Sequence, residues 1–393
     1  MNVRLLALLT AIVLGIGAAA YYFGQERQAL QVEAFQPGPL TPGLEVRIND
    51  VDEARLQSQE GGVLTLKRAD GQWAIQEHFG YRANQERVRT LLKAAATLEK
   101  IEPKTAKAEN HARLNLEDPA NEMSLATRIT LEAKDEPVLD VVVGLNRPEI
   151  QGGGAFVRLW GEDQTWLTKE DFKPQRRLMD LIDRNVVNID GRRMRSVRVQ
   201  HPAPDAAAAG GAVAEMVLIA KATPDMASYS LGAAIPEGMA PKPDHELASV
   251  VRLPDFLILD DVQPASQIAL TKPVVTVFET FDGLRLTFRA EAQADGKIWT
   301  TIAAEAADRT PGLEAFIEAE KGKDSEEGRI ADQMKSVEAV AAEIAAIAKN
   351  VDGWAYRLTD YKTKRLTATT EDLVETPPPP RPAAPEGQAP RAQ

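Results

Sequence analysis

The chain has 393 residues, 44% of them hydrophobic and 26% charged, with 46 Lys and Arg against 58 Asp and Glu for a net charge of −12. That is globular composition, and it excludes a wholly disordered, collagen-like or polytopic membrane chain. The acid excess argues against any nucleic-acid partner, and the lack of cysteine excludes disulfides, thiolate metal sites, a cysteine nucleophile and a lipidated N-terminal cysteine.

Residues 5–23 carry no charge, and Thr10 is their only clearly polar member. As a helix they would be about 28 Å long, close to the hydrocarbon thickness of a bilayer. Arg4 precedes the run, whereas residues 24–45 hold Glu26, Arg27, Glu33 and Glu45. The positive-inside bias then places the N-terminus in the cytoplasm and the rest of the chain outside, as a single-pass protein of the inner membrane. A cleaved signal peptide is the rival reading, with Ala18-Ala19-Ala20 as its cleavage site. Tyr21, Tyr22 and Phe23 continue the apolar run and suit the outer interface of an uncleaved anchor. Ala11, Gly15 and Ala19 share one face of that helix, where small side chains permit close approach by a second membrane helix. The plainer alternative is that such residues are common in membrane segments.

Residues 25–45 then read as a stalk and linker, ended by Pro37-Gly38-Pro39 and Pro42-Gly43. Short β signals follow. Runs over 63–68 and 73–75 flank Asp70-Gly71, and runs over 274–281 and 284–290 flank Asp282-Gly283. Asp295-Gly296 precedes another over 297–303. Both residue types tolerate the positive φ of a tight hairpin turn. Further strands are expected over 127–133, 138–143, 156–160 and 165–167.

Helices are fewer. Asn84 caps one running to about Leu98, with Val88, Leu91, Leu92 and Ala95 on one face. A second is expected over 173–184. A third spans 326–349, with Ile330, Met334, Val337, Ala341, Ile344 and Ala348 as its apolar repeat. That repeat fits a short coiled-coil seam or, better, an amphipathic helix packed on a sheet. Residues 376–393, rich in proline, read as a disordered tail.

One pattern runs through the chain twice. The first copy opens with Val46, Ile48 and Val51 and passes through the hairpin at Trp73 and the helix at Val88 to Ile101 and Pro103. The second opens with Val187 and Ile189, pairs strands over 196–200 and 214–221, and reaches Val262 and Pro264. Strands follow in both. The Ala/Pro-rich stretch 202–212 reads as an insertion at a hairpin tip, and Pro254 should shorten the second copy's helix. The fold class is therefore α+β: two related β-rich modules of antiparallel hairpins and packed helices, over 46–186 and 187–375, behind an anchor at 1–24.

The motifs Trp73-x-Ile75, Tyr81-x-Ala83, Leu116 with Pro119, Val143-Gly144, Phe156-Val157-Arg158 and Trp166-Leu167 occur in this order. Phe172, Arg177-Leu178, Val187-x-Ile189 and the close Trp354-x-Tyr356-x-Leu358 follow. In this order the chain resembles domain-of-unknown-function family 4340, departing from it at Glu77-His78 where proline is expected. The resemblance implies a single-pass extracytoplasmic protein associated with gliding-type ABC transport systems. Its implied partner is a membrane protein, an ABC-type permease or its auxiliary subunit. It implies no catalytic residue.

No catalytic constellation is visible. His78, His111, His201 and His245 have no metal-ligand spacing, and no Gly-x-Ser-x-Gly elbow is present. Gly152-Gly153-Gly154 lacks the lysine and helix of a phosphate loop, and Asp260-Asp261 reads as a solvated pair. Arg176, Arg177, Arg184, Arg192, Arg193, Arg195 and Arg198 form a basic concentration, interleaved with Asp180, Asp183 and Asp190 as on a solvated mixed-charge surface. No metal or cofactor is expected. The sequence points to a noncatalytic accessory or scaffold subunit of an ABC-type transport assembly. The alternative is an extracytoplasmic module that binds a glycan or peptide.

Overall fold

The computed structural model describes residues 35–147, 153–203, 213–320 and 330–377. Two units divide after Ile182. Both are antiparallel sheets with helices, an α+β architecture. Among the described residues no helix is long and apolar enough to cross a membrane. The expected anchor lies outside the described residues, as do the insertion at 204–212 and the tail from 378.

The first unit holds β1 (Gly38–Pro39), β2 (Glu53–Ser58), β3 (Gly62–Ala69), β4 (Gln72–Ile75), β5 (Tyr81–Arg82), β6 (Glu99–Pro103), β7 (Thr127–Ala133), β8 (Glu136–Asn146), β9 (Ala155–Leu159) and β10 (Thr165–Thr168). Their order in the sheet is β1-β6-β10-β9-β8-β7-β2-β3-β4-β5. Helices α1 (Leu44–Arg47), α2 (Gln85–Ala96) and α3 (Leu178–Leu181) accompany it. Asp70-Gly71 makes the tight turn from β3 to β4, with both residues at positive φ and Ala69 paired to Gln72. Lys134-Asp135 does the same between β7 and β8 without glycine. Asn84 caps α2 by accepting from the Arg87 amide at 3.0 Å. The helix buries Val88, Leu91, Leu92 and Ala95, the expected face. A cluster of Leu116, Ala126, Val142, Phe156 and Leu167 packs elsewhere in the unit.

Two expectations fail here. The stretch read as linker is in part structural: β1 pairs with β6, and Leu40 and Leu44 are buried. Proline lacks an N–H, so Pro39 is tolerated because β1 is an edge strand. The helix expected over 173–184 is one turn, α3. Arg177 and Ile182 on either side are extended, and Ile182 bridges Ala83 instead.

The second unit holds β11 (Asn185–Val187), β12 (Met194–Pro202), β13 (Val213–Ala220), β14 (Ser230–Leu231), β15 (Ala240–Pro241), β16 (Leu257–Pro264), β17 (Val274–Thr280), β18 (Leu284–Ala292), β19 (Ile298–Ala306), β20 (Trp354–Leu358) and β21 (Val374–Glu375). The order is β11-β16-β20-β19-β18-β17-β12-β13-β14, while β15 pairs with β21 apart. From β1 to β4 and from β11 to β14 the two orders are the same. Helix α4 (Asp244–Val251) takes the place of α2 and ends three residues before Pro254, as expected. On β18 Leu284, Leu286, Phe288 and Ala290 are buried alternately, and Phe288 meets Phe278 edge-on at 5.3 Å.

Helices α5 (Leu313–Glu320) and α6 (Val337–Val351) intervene between β19 and β20, where the first unit has only the short link from β9 to β10. Helix α7 (Asp360–Leu366) follows β20. Helix α6 packs on β19, so the sheet-packed reading holds and the coiled-coil seam does not. The buried residues are Val340, Ile347 and Val351, while Val337 and Ala341 are exposed. The chain makes a 3-10 turn at Ile330–Gln333, and Ser336 then caps α6. A repeat counted from Ile330 is therefore out of phase with the helix.

Gly144 is required for space. A Cβ there would run into the carbonyl oxygens of Leu114 and Asn115. Gly144→Ala should cost about 2 kcal/mol or more, since backbone cannot yield as a side chain can. Gly71→Ala, strained by its positive φ but meeting nothing within 4 Å, should cost only about 1 kcal/mol. Urea unfolding of the two variants checks the ranking.

Candidate functional site

Two gatherings of polar side chains stand out among the described residues. The first, in the second unit, is built round Arg193, whose side chain is 3% exposed. It lies in a 3-10 turn (Gly191–Arg193) just before β12. Its Nε and Nη2 donate to the Asp282 carboxylate at 2.8 and 3.2 Å, and its Nη1 and Nη2 donate to Glu343 on α6 at 2.9 and 2.8 Å. Asp282, in the turn from β17 to β18, also accepts from the Thr280 hydroxyl and, at 2.9 Å, from the Lys335 amide. Lys335 Nζ donates to Glu343 at 2.6 Å, and Arg309 Nη1 donates to the carbonyls of Asp282 and Lys335. Asp282-Gly283 is thus no simple two-residue turn: only Gly283 has positive φ, and the aspartate is an ion-pair partner.

A cavity of about 560 Å³ opens beside this cluster, lined by Asp190, Arg192, Arg252, Asp255, Lys335 and Glu343 among others. Its charges are mixed. Arg192 hydrogen bonds hold the Asp190 carboxyl below the usual carboxylate range against the opposing effect of burial. The cluster joins the start of β12, a hairpin turn and α6, so its chemistry is that of a clamp. A planar guanidinium with a carboxylate on each of two edges has four of its five N–H donors engaged.

The second place is a groove of about 480 Å³ in the first unit, between α2, the β3–β4 hairpin and the segment at Glu45 to Asn49. Gln85 at the start of α2 fixes its floor. Gln85 Oε1 accepts from the Trp73 amide at 2.9 Å, while Nε2 donates to the carbonyls of Trp73 and Ala83. The backbone of Trp73 is thereby tied to the start of α2, and Leu92 and Ala96 line the groove with it. Arg68 lies over the indole, 5.7 Å from its centroid, and donates to the Asn49 carbonyl at 2.8 Å. Arg89 and Lys93 line the helical side. Arg89 pairs only with the exposed Glu86, at 2.8 Å. Such an arrangement can hold an anion; it contains no nucleophile–base pair.

Sequence reasoning missed this groove, although one signal was present. Gln85, Arg89, Lys93 and Thr97 recur every four residues, a polar ridge along α2 that lines the groove. The basic concentration it did single out is distributed. Arg177 pairs with Asp180, Arg184 with Asp260 and Arg192 with Asp190, in keeping with a mixed-charge surface, but Arg193 is buried. Asp260 and Asp261 lie within β16, at a register shift, and not at a helix end or in a loop. His111 and His201 meet the carbonyls of Asp163 and Ala368. Among the described residues no group of metal-ligating side chains gathers. Gly154 donates its amide to Asp171, a carboxylate that stands where a phosphate would. Ala11, Gly15, Ala19, Tyr21 and Tyr22 lie outside the described residues.

Fold and sites together define an α+β protein of two antiparallel sheets, with one buried ionic clamp and one open cationic groove. Residues 73–216 match the family profile of a domain of unknown function, DUF4340, which bears out the resemblance read from the sequence. Neither a curated protein nor a solved structure matches the chain. Within the matched stretch the motif residues serve the fold: Trp73 and Leu116 are buried, and Arg158 donates from Nε to the Leu116 carbonyl at 2.8 Å.

Arg193→Met should lower stability by about 3–5 kcal/mol, because it strands two carboxylates with little access to water. A double-mutant cycle with Glu343→Gln should give a coupling above roughly 1 kcal/mol by urea unfolding. Asp190→Asn tests the cavity rim. A carboxyl held below its unfolded value stabilises the fold above about pH 4 and loses that contribution as pH falls through its folded value. The variant's stability should therefore fall less steeply below about pH 5 than the parent's.

Proposed function

We propose that this chain is a noncatalytic accessory or scaffold subunit of a membrane transport assembly of the ABC type. On this reading residues 1–24 anchor it in the inner membrane, and two modules over 46–186 and 187–375 stand outside the cytoplasm. The observation that carries it is the shared strand order of the two sheets, which supports their origin as copies of one unit. A chain that presents one platform twice behind a single apolar run of 19 residues is suited to holding other proteins. The most buried charged cluster favours the same reading, because its groups are engaged in joining strands and helix. The family resemblance adds the transport context and the expected partner, a permease or its auxiliary subunit.

On the same reading the anchor does more than tether. Ala11, Gly15 and Ala19 offer a close-approach face, where contacts between membrane helices are worth about 1 kcal/mol each. Replacing all three by Leu should release co-purifying membrane partners in detergent while leaving insertion intact, and Gly15→Leu alone should weaken recovery partially. A periplasm-dependent reporter fused after Glu375 should be active. Equal recovery of the same partners by the triple variant would make the helix a plain tether. An inactive reporter would overturn the topology.

A further inference from the structure

We propose that the groove along α2 binds a phosphate-bearing ligand with a small apolar body, of the glycerophosphate class. This goes beyond the scaffold reading and does not depend on it. The groove's volume of about 480 Å³ lies in the range of small-molecule sites. Its lining holds three cations, Arg68, Arg89 and Lys93, against one carboxylate, Glu45. The chain as a whole carries −12, so a local excess of positive charge is not a by-product of composition.

The cations arrive from two elements, Arg68 from β3 and the other two from α2. A carboxylate presents two oxygens in one plane, whereas a phosphate sets its non-bridging oxygens, three in a monoester and two in a diester, tetrahedrally about phosphorus, where donors on separate elements can share them. Arg89 and Lys93 stand four residues apart on one helical row, where like charges repel by a few tenths of a kcal/mol. An anion between them removes that repulsion. Lys93 has no carboxylate partner among the described residues, and the Arg89–Glu86 pair is exposed on both sides and cheap to exchange. Arg68 is engaged by a carbonyl and an indole face, so it is oriented without being neutralised.

The floor supplies the other half of the ligand. Trp73, Leu92 and Ala96 are each buried to within a few per cent but still line the groove. They would cover a glycerol or similar carbon skeleton, leaving the phosphate at the rim. Gln85 holds the backbone of Trp73 through its amide and carbonyl, so the strand that carries the indole is fixed before any ligand arrives.

The test uses the full-length protein in an uncharged detergent. sn-Glycerol 3-phosphate is titrated by calorimetry, and phosphatidylglycerol or phosphatidylcholine is added to the micelles in parallel. Binding of either phosphate anion, with Lys93→Glu and Arg89→Glu each weakening it about tenfold or more, supports the site. Thr97→Trp, which places a ring over the groove, should also abolish binding. Lys107→Glu, the same charge change on an exposed lysine away from the groove, should leave it unaltered. Binding of glycerol 3-phosphate alone assigns a soluble source, and binding of phosphatidylglycerol alone assigns the headgroup of a lipid. The proposal is overturned if neither phosphate binds, if Lys107→Glu is as damaging as Lys93→Glu, or if a hexaglutamate peptide binds at the groove and the phosphates do not. The substituted positions are exposed, and unchanged thermal midpoints confirm that loss of binding is not loss of fold.

Discussion

Each sheet is joined through its middle by a long-range strand pair. β2 meets β7 from Glu53 opposite Glu132 to Ser58 opposite Thr127, and β12 meets β17 in the same way. On one side of that pair lie hairpins made by the chain just after β2 or β12, and on the other lie hairpins made after β7 or β17, with β6 and β1, or β16 and β11, at the far end. Local turns can form each hairpin set, and this pairing joins the two sets, while β6 on β10 and β16 on β20 add a second long-range pair to each sheet. A slip of one residue would turn Ala54 and Leu56 out to water, or Ile129 and Leu131 if β7 were the strand that turned. Helices α2 and α4 lie within the excursions that separate the paired strands, so their places follow from the same register.

The second unit adds a constraint that the first does without. Before β2, Asp52 accepts from the Lys134 amide in the opposite turn at 3.3 Å. At the corresponding place before β12, Arg193 reaches Asp282 and then continues to Glu343 on an inserted helix. A light contact in one unit is thus an ionic clamp in the other, and the clamp appears where there is a helix to hold. Buried ion pairs give little net stability compared with apolar packing but are costly to break singly. What this cluster supplies is position: α6 has one seating on β19 that satisfies Glu343.

Much of the fold could be read from local chemistry. Alternation on β7 and β18, the Asp70-Gly71 turn and the Asn84 cap each announce themselves within a few residues, because the forces that set them are local. The repeated order of elements was legible for the same reason. What failed was non-local. Pro37 to Pro39 look like a linker until β6 is there to pair with, and the phase of α6 was hidden by a 3-10 turn. Arg193 stood among arginines with nearby aspartates, and nothing in that stretch indicates partners 89 and 150 residues away. The groove was half legible: its ridge on α2 is periodic, but its floor comes from Trp73 and its third cation from β3.

The ends of both sheets are short. The first stops at β1 and β5, of two residues each, and the second at β11 and β14, of three and two. Wide sheets invite further strands from other molecules, because an open edge is a row of unmet amides and carbonyls. Here the outermost strands are of two or three residues, and Pro39 removes a donor from one of them, while β14 covers β13 only at Ile219 and Ala220. A strand that added to β1, β5, β11 or β14 would find only two or three residues to pair with, so the sheet ends offer a partner little backbone.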